Sequence, residues 1–275
     1  MNARKLIKYL VCILIIVLGF VLYNSQEDDR TPAHFHPRNY DEIKESGILR
    51  AVTDFNSISY YITNDTIQGF DYELLHAFAQ EKKLKLELVP EISFEKRLQD
   101  VIAGKYDLLA SGTVITADSR DSLLFTRPLL LSKQVLIQRK KSSDDDSTYI
   151  ENQLDLAGKT LYTCKNSPAI LRLNNLMDEI GDTIYIHEID HYGPEQLLAM
   201  VAGKDIDYAV CDLSLAEASV NDFPNLDINT DIGFNQFYAW GVNKQSSSLL
   251  DSLNCWLDTY KTSREYEKLY KKYFH

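Results

Sequence analysis

The sequence predicts an α/β protein of two lobes, each a mostly parallel sheet flanked by helices, joined by a two-stranded hinge. Three observations carry this expectation. One supersecondary unit occurs in each half, at residues 98–111 and again at 197–212. Both copies read as an amphipathic helix stopped by Ala-Gly-Lys (Ala103-Gly104-Lys105 and Ala202-Gly203-Lys204), with Gly as the left-handed residue beyond the helix end. Both then pass through an Asp into a short, continuously apolar strand, the pattern of a buried parallel strand. Second, strands and helices alternate along the chain, which implies a parallel arrangement with helices on both faces. Third, the run Lys140-Lys141-Ser142-Ser143-Asp144-Asp145-Asp146 interrupts the alternation as a solvated loop between the halves.

The elements follow in order. Arg4, Lys5 and Lys8 precede an apolar run over residues 9–23, and Glu27, Asp28 and Asp29 follow it. This polarity puts the N-terminus in the cytoplasm and the remainder outside. Bulky residues at 18–23 offer no small-x-small cleavage site, so an uncleaved signal anchor over 1–24 is favoured over a signal peptide. Residues 25–45, with Pro32 and Pro37, read as a tether. A first strand is expected at 48–52, a helix from Gly69-Phe70-Asp71 onward, an alternating strand through Leu84, Leu86 and Leu88, and the first repeat helix near Ser93. In the second half, strands at 160–163 and 183–187 alternate with helices opened by Ser167-Pro168 and Gly193-Pro194. A strand at 236–242 and two final helices close the chain. Segments near 130–140 and 233–242 are expected to cross between lobes, giving a first lobe of 46–135 and 236–275 around a second of 136–235. Each repeat strand ends in small or polar residues, Ser111-Gly112-Thr113 and Cys211-Asp212. Ligands of open α/β sheets bind beyond the carboxyl ends of the strands, so the two lobes are expected to share a polar cleft.

Composition narrows the function. A net charge of −11 without a basic stripe argues against nucleic acid. Four cysteines (Cys12, Cys164, Cys211 and Cys255) include no Cys-x-x-Cys, and the isolated His34/His36 and His187/His191 pairs form no zinc pattern, so neither metal nor cofactor is expected. Cys164 and Cys211 each sit near a predicted strand end, where a disulfide is conceivable but small buried hydrophobes are the simpler reading.

A family resemblance rests on Ser46-Gly47-Ile48-Leu49-Arg50, Gly69-Phe70-Asp71-Tyr72-Glu73-Leu74, Gly104-Lys105-Tyr106-Asp107, Ile115-Thr116 and Phe125-Thr126-Arg127-Pro128-Leu129. It extends through residues 155–160, 202–204 and 207–212. In order and spacing these stretches resemble the bacterial family 3 extracellular solute-binding proteins, with their type 2 periplasmic binding fold. Within that family they look most like the amino-terminal binding module of membrane-bound lytic murein transglycosylase F. The resemblance implies that the last helices return to the first lobe and that closure of the lobes traps a ligand. The transglycosylases' catalytic domain has no counterpart here after the binding fold, so catalysis is not expected.

The resemblance also implies site residues. Asp212 matches the Asp that pairs with a ligand ammonium in amino-acid-binding relatives; alternatively it is an N-cap. Arg120 is the expected carboxylate clamp, though it stands one residue later than in relatives, where Ser119 now sits, and Val114 replaces a hydroxyl residue. Ser111 and Thr113 offer hydroxyls beyond the first repeat strand. Asn166 and Ser167 stand at a helix N-terminus suited to an anion. Tyr60 or Tyr61 supplies an aromatic wall.

The leading expectation is a membrane-anchored solute-binding protein that closes on an amino acid or short cell-wall peptide. Its state would be read by a membrane transporter or a cell-wall enzyme. Two alternatives stay open. One is a non-catalytic interaction module of cell-wall turnover with a degenerate cleft. The other is a dehydratase-like enzyme using Asp212 or Glu73.

Overall fold

The structure, a computed structural model, describes residues 35–143, 147–190 and 192–274. The predicted anchor lies outside the described residues. Among those described, no helix is long and apolar enough to cross a membrane.

Lobe 1 begins with α1 (Tyr40–Ser46), capped by Asn39 in a reciprocal capping box with Glu42 and ended by left-handed Gly47. It continues through β1 (Ile48–Thr53), the hairpin β2 (Tyr61–Thr63) and β3 (Thr66–Gln68), and α2 (Phe70–Glu81). Next come β4 (Lys85–Pro90), α3 (Phe94–Ile102), β5 (Leu108–Val114), α4 (Ala117–Ser122), β6 (Leu123–Phe125) and β7 (Leu130–Ser132). The chain crosses at Lys133 into lobe 2. There β8 (Gln134–Arg139), β9 (Thr160–Cys164), α5 (Pro168–Ile180), β10 (Tyr185–Ile189), α6 (Pro194–Gly203), β11 (Ala209–Asp212), α7 (Leu213–Ser219) and β12 (Leu226–Asp227) follow. It then returns through β13 (Gln236–Asn243), α8 (Ser247–Tyr260) and α9 (Arg264–Tyr273).

The sheet orders are β4-β1-β5-β13-β6, with β7 also on β13, and β10-β9-β11-β8-β12. In each sheet three strands are parallel, and the strands that cross between lobes add antiparallel. Each sheet is therefore mixed rather than mostly parallel, because a strand entering from the other lobe has no crossover helix to reverse it.

Period-two alternation along the central strands feeds a core on each face. In β5, Leu108 and Ala110 join Phe70, Phe78, Trp240 and Trp256 on one face, while Leu109 meets Val52, Val101 and Leu123 on the other. In β8, Leu136 faces Leu161 and Leu173, whereas Val135 and Ile137 face Leu197 and Val201. The C-terminal helices complete the first of these cores: Phe78 packs edge-on against Trp256 with ring centres 5.3 Å apart, and Phe70 against Phe274 at 4.8 Å.

Three details depart from the sequence reading. Residues 36–45 are built into lobe 1 rather than lying in a tether: Arg38 donates to Asp107, and Ser246 donates to the Arg38 carbonyl. The Tyr61–Gln68 region is a hairpin. The repeats also end differently. Gly104 is left-handed (φ 77), and a Cβ there would sit 2.1 Å from the His36 carbonyl carbon, so the close pass of the N-terminal segment requires glycine. In the second copy the helix runs two residues further, through Gly203, and the left-handed position falls one residue later, on Lys204 (φ 68).

Candidate functional site

The carboxyl ends of four strands meet in one cleft. Thr53 ends β1 and ties its hydroxyl to the Ala110 carbonyl of β5 (2.6 Å); Thr163 near the end of β9 does the same to Val210 of β11 (3.1 Å). These buried cross-strand bonds hold the two strand pairs side by side in each lobe, so the residues that follow project together. The cleft between them has an internal volume of about 160 Å³, and about 1070 Å³ when the adjoining open solvent is counted. The lobes touch across its mouth. Ser57 of lobe 1 donates its N–H (2.8 Å) and hydroxyl (2.9 Å) to Glu195 Oε1 at the start of α6, and Asn166 reaches Glu95 at 3.4 Å. These contacts describe a closed arrangement.

Asp212 lines the cleft and is the N-cap of α7, one of the two roles offered by the sequence. Its Oδ1 accepts the Ser214 N–H (2.9 Å) and caps α7. Its Oδ2 is buried with no hydrogen-bond partner. Burial raises its pKa, against the lowering influence of the nearby Tyr238 and Ser132 hydroxyls and the Ser214 and Leu215 N–H groups. Tyr238 itself is held from across the hinge by Gln134, whose Nε2 donates to its hydroxyl at 2.9 Å.

On the lobe 1 side, Arg97 grips Asp54 through Nη1 (2.8 Å) and Nη2 (3.2 Å) and also donates from Nη1 to the Glu91 and Ile92 carbonyls. Its Nε is the other buried side-chain atom, among the described residues, without a partner. Asp71 lies at the first turn of α2 and accepts from Trp240 Nε1 at 2.6 Å. Burial pushes its carboxyl up to about 7, even though hydrogen bonds from Trp240, Ser59 and the Gly112 N–H favour the charged form.

That elevation has a sign. A carboxyl with a folded pKa near 7 and an unfolded value of about 3.9 binds its proton more tightly in the folded state. Its favourable contribution is full below about pH 4 and is lost as pH rises through about 7. Asp71→Asn keeps a carbonyl for Trp240 and flattens the fall of melting temperature between pH 4.5 and 7.5. An unchanged slope in thermal melts of the variant removes Asp71 as its source.

Of the residues expected at the site, Asp212, Ser111, Thr113, Asn166 and Ser167 line the cleft. Ser111 and Thr113 lie within β5, which runs on to Val114 because β13 pairs with it there. Arg120, Tyr60 and Tyr61 do not line it. Arg120 is exposed on α4, because Ser119 takes the N3 place of a capping box with Thr116 and turns the next residue outward. Tyr60 is buried against Phe55 and Tyr72, and Tyr61 sits in the hairpin with its hydroxyl on Gln68. Cys164 and Cys211 both line the cleft as free thiols, and burial holds the Cys164 pKa at about 12.

The comparisons with known proteins follow this geometry. Residues 49–275 match the sequence profile of the bacterial extracellular solute-binding proteins, family 3. The chain belongs to this family. Among curated relatives of this solute-binding protein, membrane-bound lytic murein transglycosylase F of Photobacterium profundum is 28% identical over 241 residues, covering 85% of this chain and 45% of the relative. The solute-binding chain thus spans about half the length of the curated relatives it matches. Among solved structures it is similar to an amino acid ABC transporter substrate-binding protein, AbpA of Streptococcus pneumoniae bound to L-arginine (TM-score 0.70, 25% identity, 85% of this chain and 97% of that one). It is also similar to holo ArgBP of T. maritima (TM-score 0.70, 25% identity, 86% and 99%). An ancestral amino-acid-binding protein described as a precursor of cyclohexadienyl dehydratase shares the fold, with a TM-score of 0.74 at 23% identity.

Among the cleft residues that escaped the sequence reading are Asp54, Asp71 and Arg97. Asp54 had a legible signal, since it follows β1 as Ser111 and Asp212 mark the ends of the repeat strands. Arg97 had none, because its helical position looks like one more charge on an amphipathic face.

Proposed function

We propose that this solute-binding protein works outside the cytoplasm by closing its lobes on a small ligand bearing an ammonium group, without catalysis. Two resemblances, to an amino-acid receptor and to a module of cell-wall enzymes, support an amino acid or short cell-wall peptide as the ligand class. In this proposal residues 1–24 anchor the chain in the membrane. The closed state is then read by a transporter or a cell-wall enzyme. The observation that carries the reading is the buried, open Oδ2 of Asp212 in a cleft both lobes line. A carboxylate so placed gains most from a charged donor that arrives with the ligand.

Closure requires contacts made only when the lobes meet. Glu195 supplies one, because its carboxylate receives both Ser57 donors across the mouth. Glu195→Ala is expected to weaken ligand binding about fivefold, the worth of about 1 kcal/mol, with the melting temperature of the empty protein unchanged. Equal affinity in the variant by calorimetry removes this contact from the closing energy. The function itself is tested by thermal shift of the detergent-solubilised full chain against the amino acids and a set of murein peptides. A saturable rise in melting temperature is expected, since a ligand preferring the folded state stabilises it. A flat response across the panel overturns the proposal.

A further inference from the structure

Two cysteines end neighbouring strands in the floor of the cleft, and the solute-binding reading uses neither. Ala209 of β11 stands opposite Tyr162 of β9 in a parallel pair, and the Thr163 hydroxyl donates to the Val210 carbonyl at 3.1 Å. Two residues beyond the Ala209–Tyr162 pair, Cys211 therefore falls beside Cys164. Period-two alternation puts both side chains on one face of the sheet. On that face Cys211 is buried in a cluster with Leu197, Val201 and Ala216, and Cys164 packs against the same cluster. Adjacent strands run about 4.8 Å apart. A disulfide spans about 4.4–6.8 Å between Cα atoms, so neighbouring strands satisfy its reach.

The two thiols are free in the closed arrangement and are not equally sheltered. Cys211 is 4% exposed, whereas Cys164 is partly exposed and lines the cleft with residues of both lobes. Burial first, and then the Asp54 and Glu195 carboxylates, hold the Cys164 pKa at about 12 against the influence of Arg97. A buried, protonated thiol reacts slowly, because the thiolate is the nucleophile. Asp54 and Arg97 belong to lobe 1, so separation of the lobes takes both away from Cys164 and admits water to it.

We propose that Cys164 and Cys211 form a reversible disulfide site, closed by exchange with a small disulfide when the lobes part. The Cys164 thiolate attacks one sulfur of the small disulfide and expels the other as a thiolate. Cys211, once deprotonated, attacks the Cys164 sulfur of the mixed disulfide and expels the second thiolate. The two cysteines together lose two electrons and two protons, and the small disulfide gains them as two thiols. The bridge ties β9 to β11 one residue before Asp212 and two before Asn166, so the redox state acts on the cleft wall itself. For its occurrence in the cell the proposal rests on the extracytoplasmic part of the proposed function, because cytoplasmic thiols are kept reduced.

The test uses the detergent-solubilised full chain carrying Cys12→Ala and Cys255→Ala, which leaves only this pair of the four cysteines. The folded protein is equilibrated with reduced and oxidised glutathione in varied ratio, quenched in acid, alkylated and digested without reductant for mass spectrometry. A linked peptide joining Cys164 to Cys211 is expected, formed with loss of both alkylatable thiols in oxidising mixtures and reversed in reducing ones. Cys211→Ala in the same background is expected to give no link. Both cysteines alkylated at every ratio overturns the inference. Glutathione held on Cys164 without a link overturns it as well, and so does a link that forms only in denaturant. None of these outcomes touches the solute-binding reading, which the ligand panel decides on the reduced chain, and a flat panel leaves the bridge chemistry standing.

Discussion

Asp107→Ala unfolds the protein at a markedly lower temperature than the wild type, by about 3–5 kcal/mol of stability, or on the order of 10 °C. Asp107 is fully buried just before β5 and binds two guanidinium groups. Arg38 donates from Nε at 2.9 Å, and Arg50 from Nη2 at 2.8 Å and from its backbone N–H at 2.8 Å. Removing the carboxylate strands two partly buried cations and a strand N–H together. The loss falls on the joint between the N-terminal segment, β1 and the first repeat strand, so lobe 1 is where it is felt. Burial alone would raise the Asp107 pKa, but the hydrogen bonds and charges of Arg38 and Arg50 outweigh it and hold it below the usual carboxylate value. The sign of the pH effect is thus opposite to that of Asp71. Its contribution is present above the unfolded pKa of about 3.9 and is lost as pH falls through the lower folded value. Circular-dichroism melts of Asp107→Ala and Asp107→Asn at neutral pH measure the effect; a variant that melts with the wild type shows that the two arginines do not depend on it.

Asp212→Ala is expected to weaken ligand binding by about 2–5 kcal/mol, the range for removing one partner of a buried charge pair. That corresponds to a loss of about 30-fold or more. The substitution also deletes the N-cap of α7, at about 1 kcal/mol of stability. The Asn variant separates the two effects, because it caps the helix yet carries no charge. If Asp212→Asn binds like the wild type, the charge is not what the ligand meets. If both variants bind like the wild type, Asp212 leaves the site altogether.

The fold class was legible because its signals are local. Helix stops, strand runs and their alternation appear in residues that are neighbours in sequence, and the repeat displays them twice. The site was legible where it obeys one topological rule, that strand ends face the cleft. Ser111, Thr113 and Asp212 come from that rule, and Asp54 would have come from its consistent use. Arg120 failed for a local reason with a long reach: Ser119 caps a short helix, and a single residue of offset turns the next side chain to solvent. Tyr60 and Tyr61 failed because aromatic residues pack as readily on each other as on a ligand.

By itself the sequence determined two α/β lobes, helix ends and caps such as Ser167-Pro168, and an acidic chain built around strand ends. It also placed Asp212 at a strand end next to a helix, where it caps α7. Only the tertiary structure decided which charges remain unspent. Asp54 and Arg97 are 43 residues apart in sequence yet cancel each other, and Ser57 meets Glu195 across 138 residues. Pairing of this kind depends on distances that packing sets between residues far apart in sequence, which no local pattern along the chain encodes.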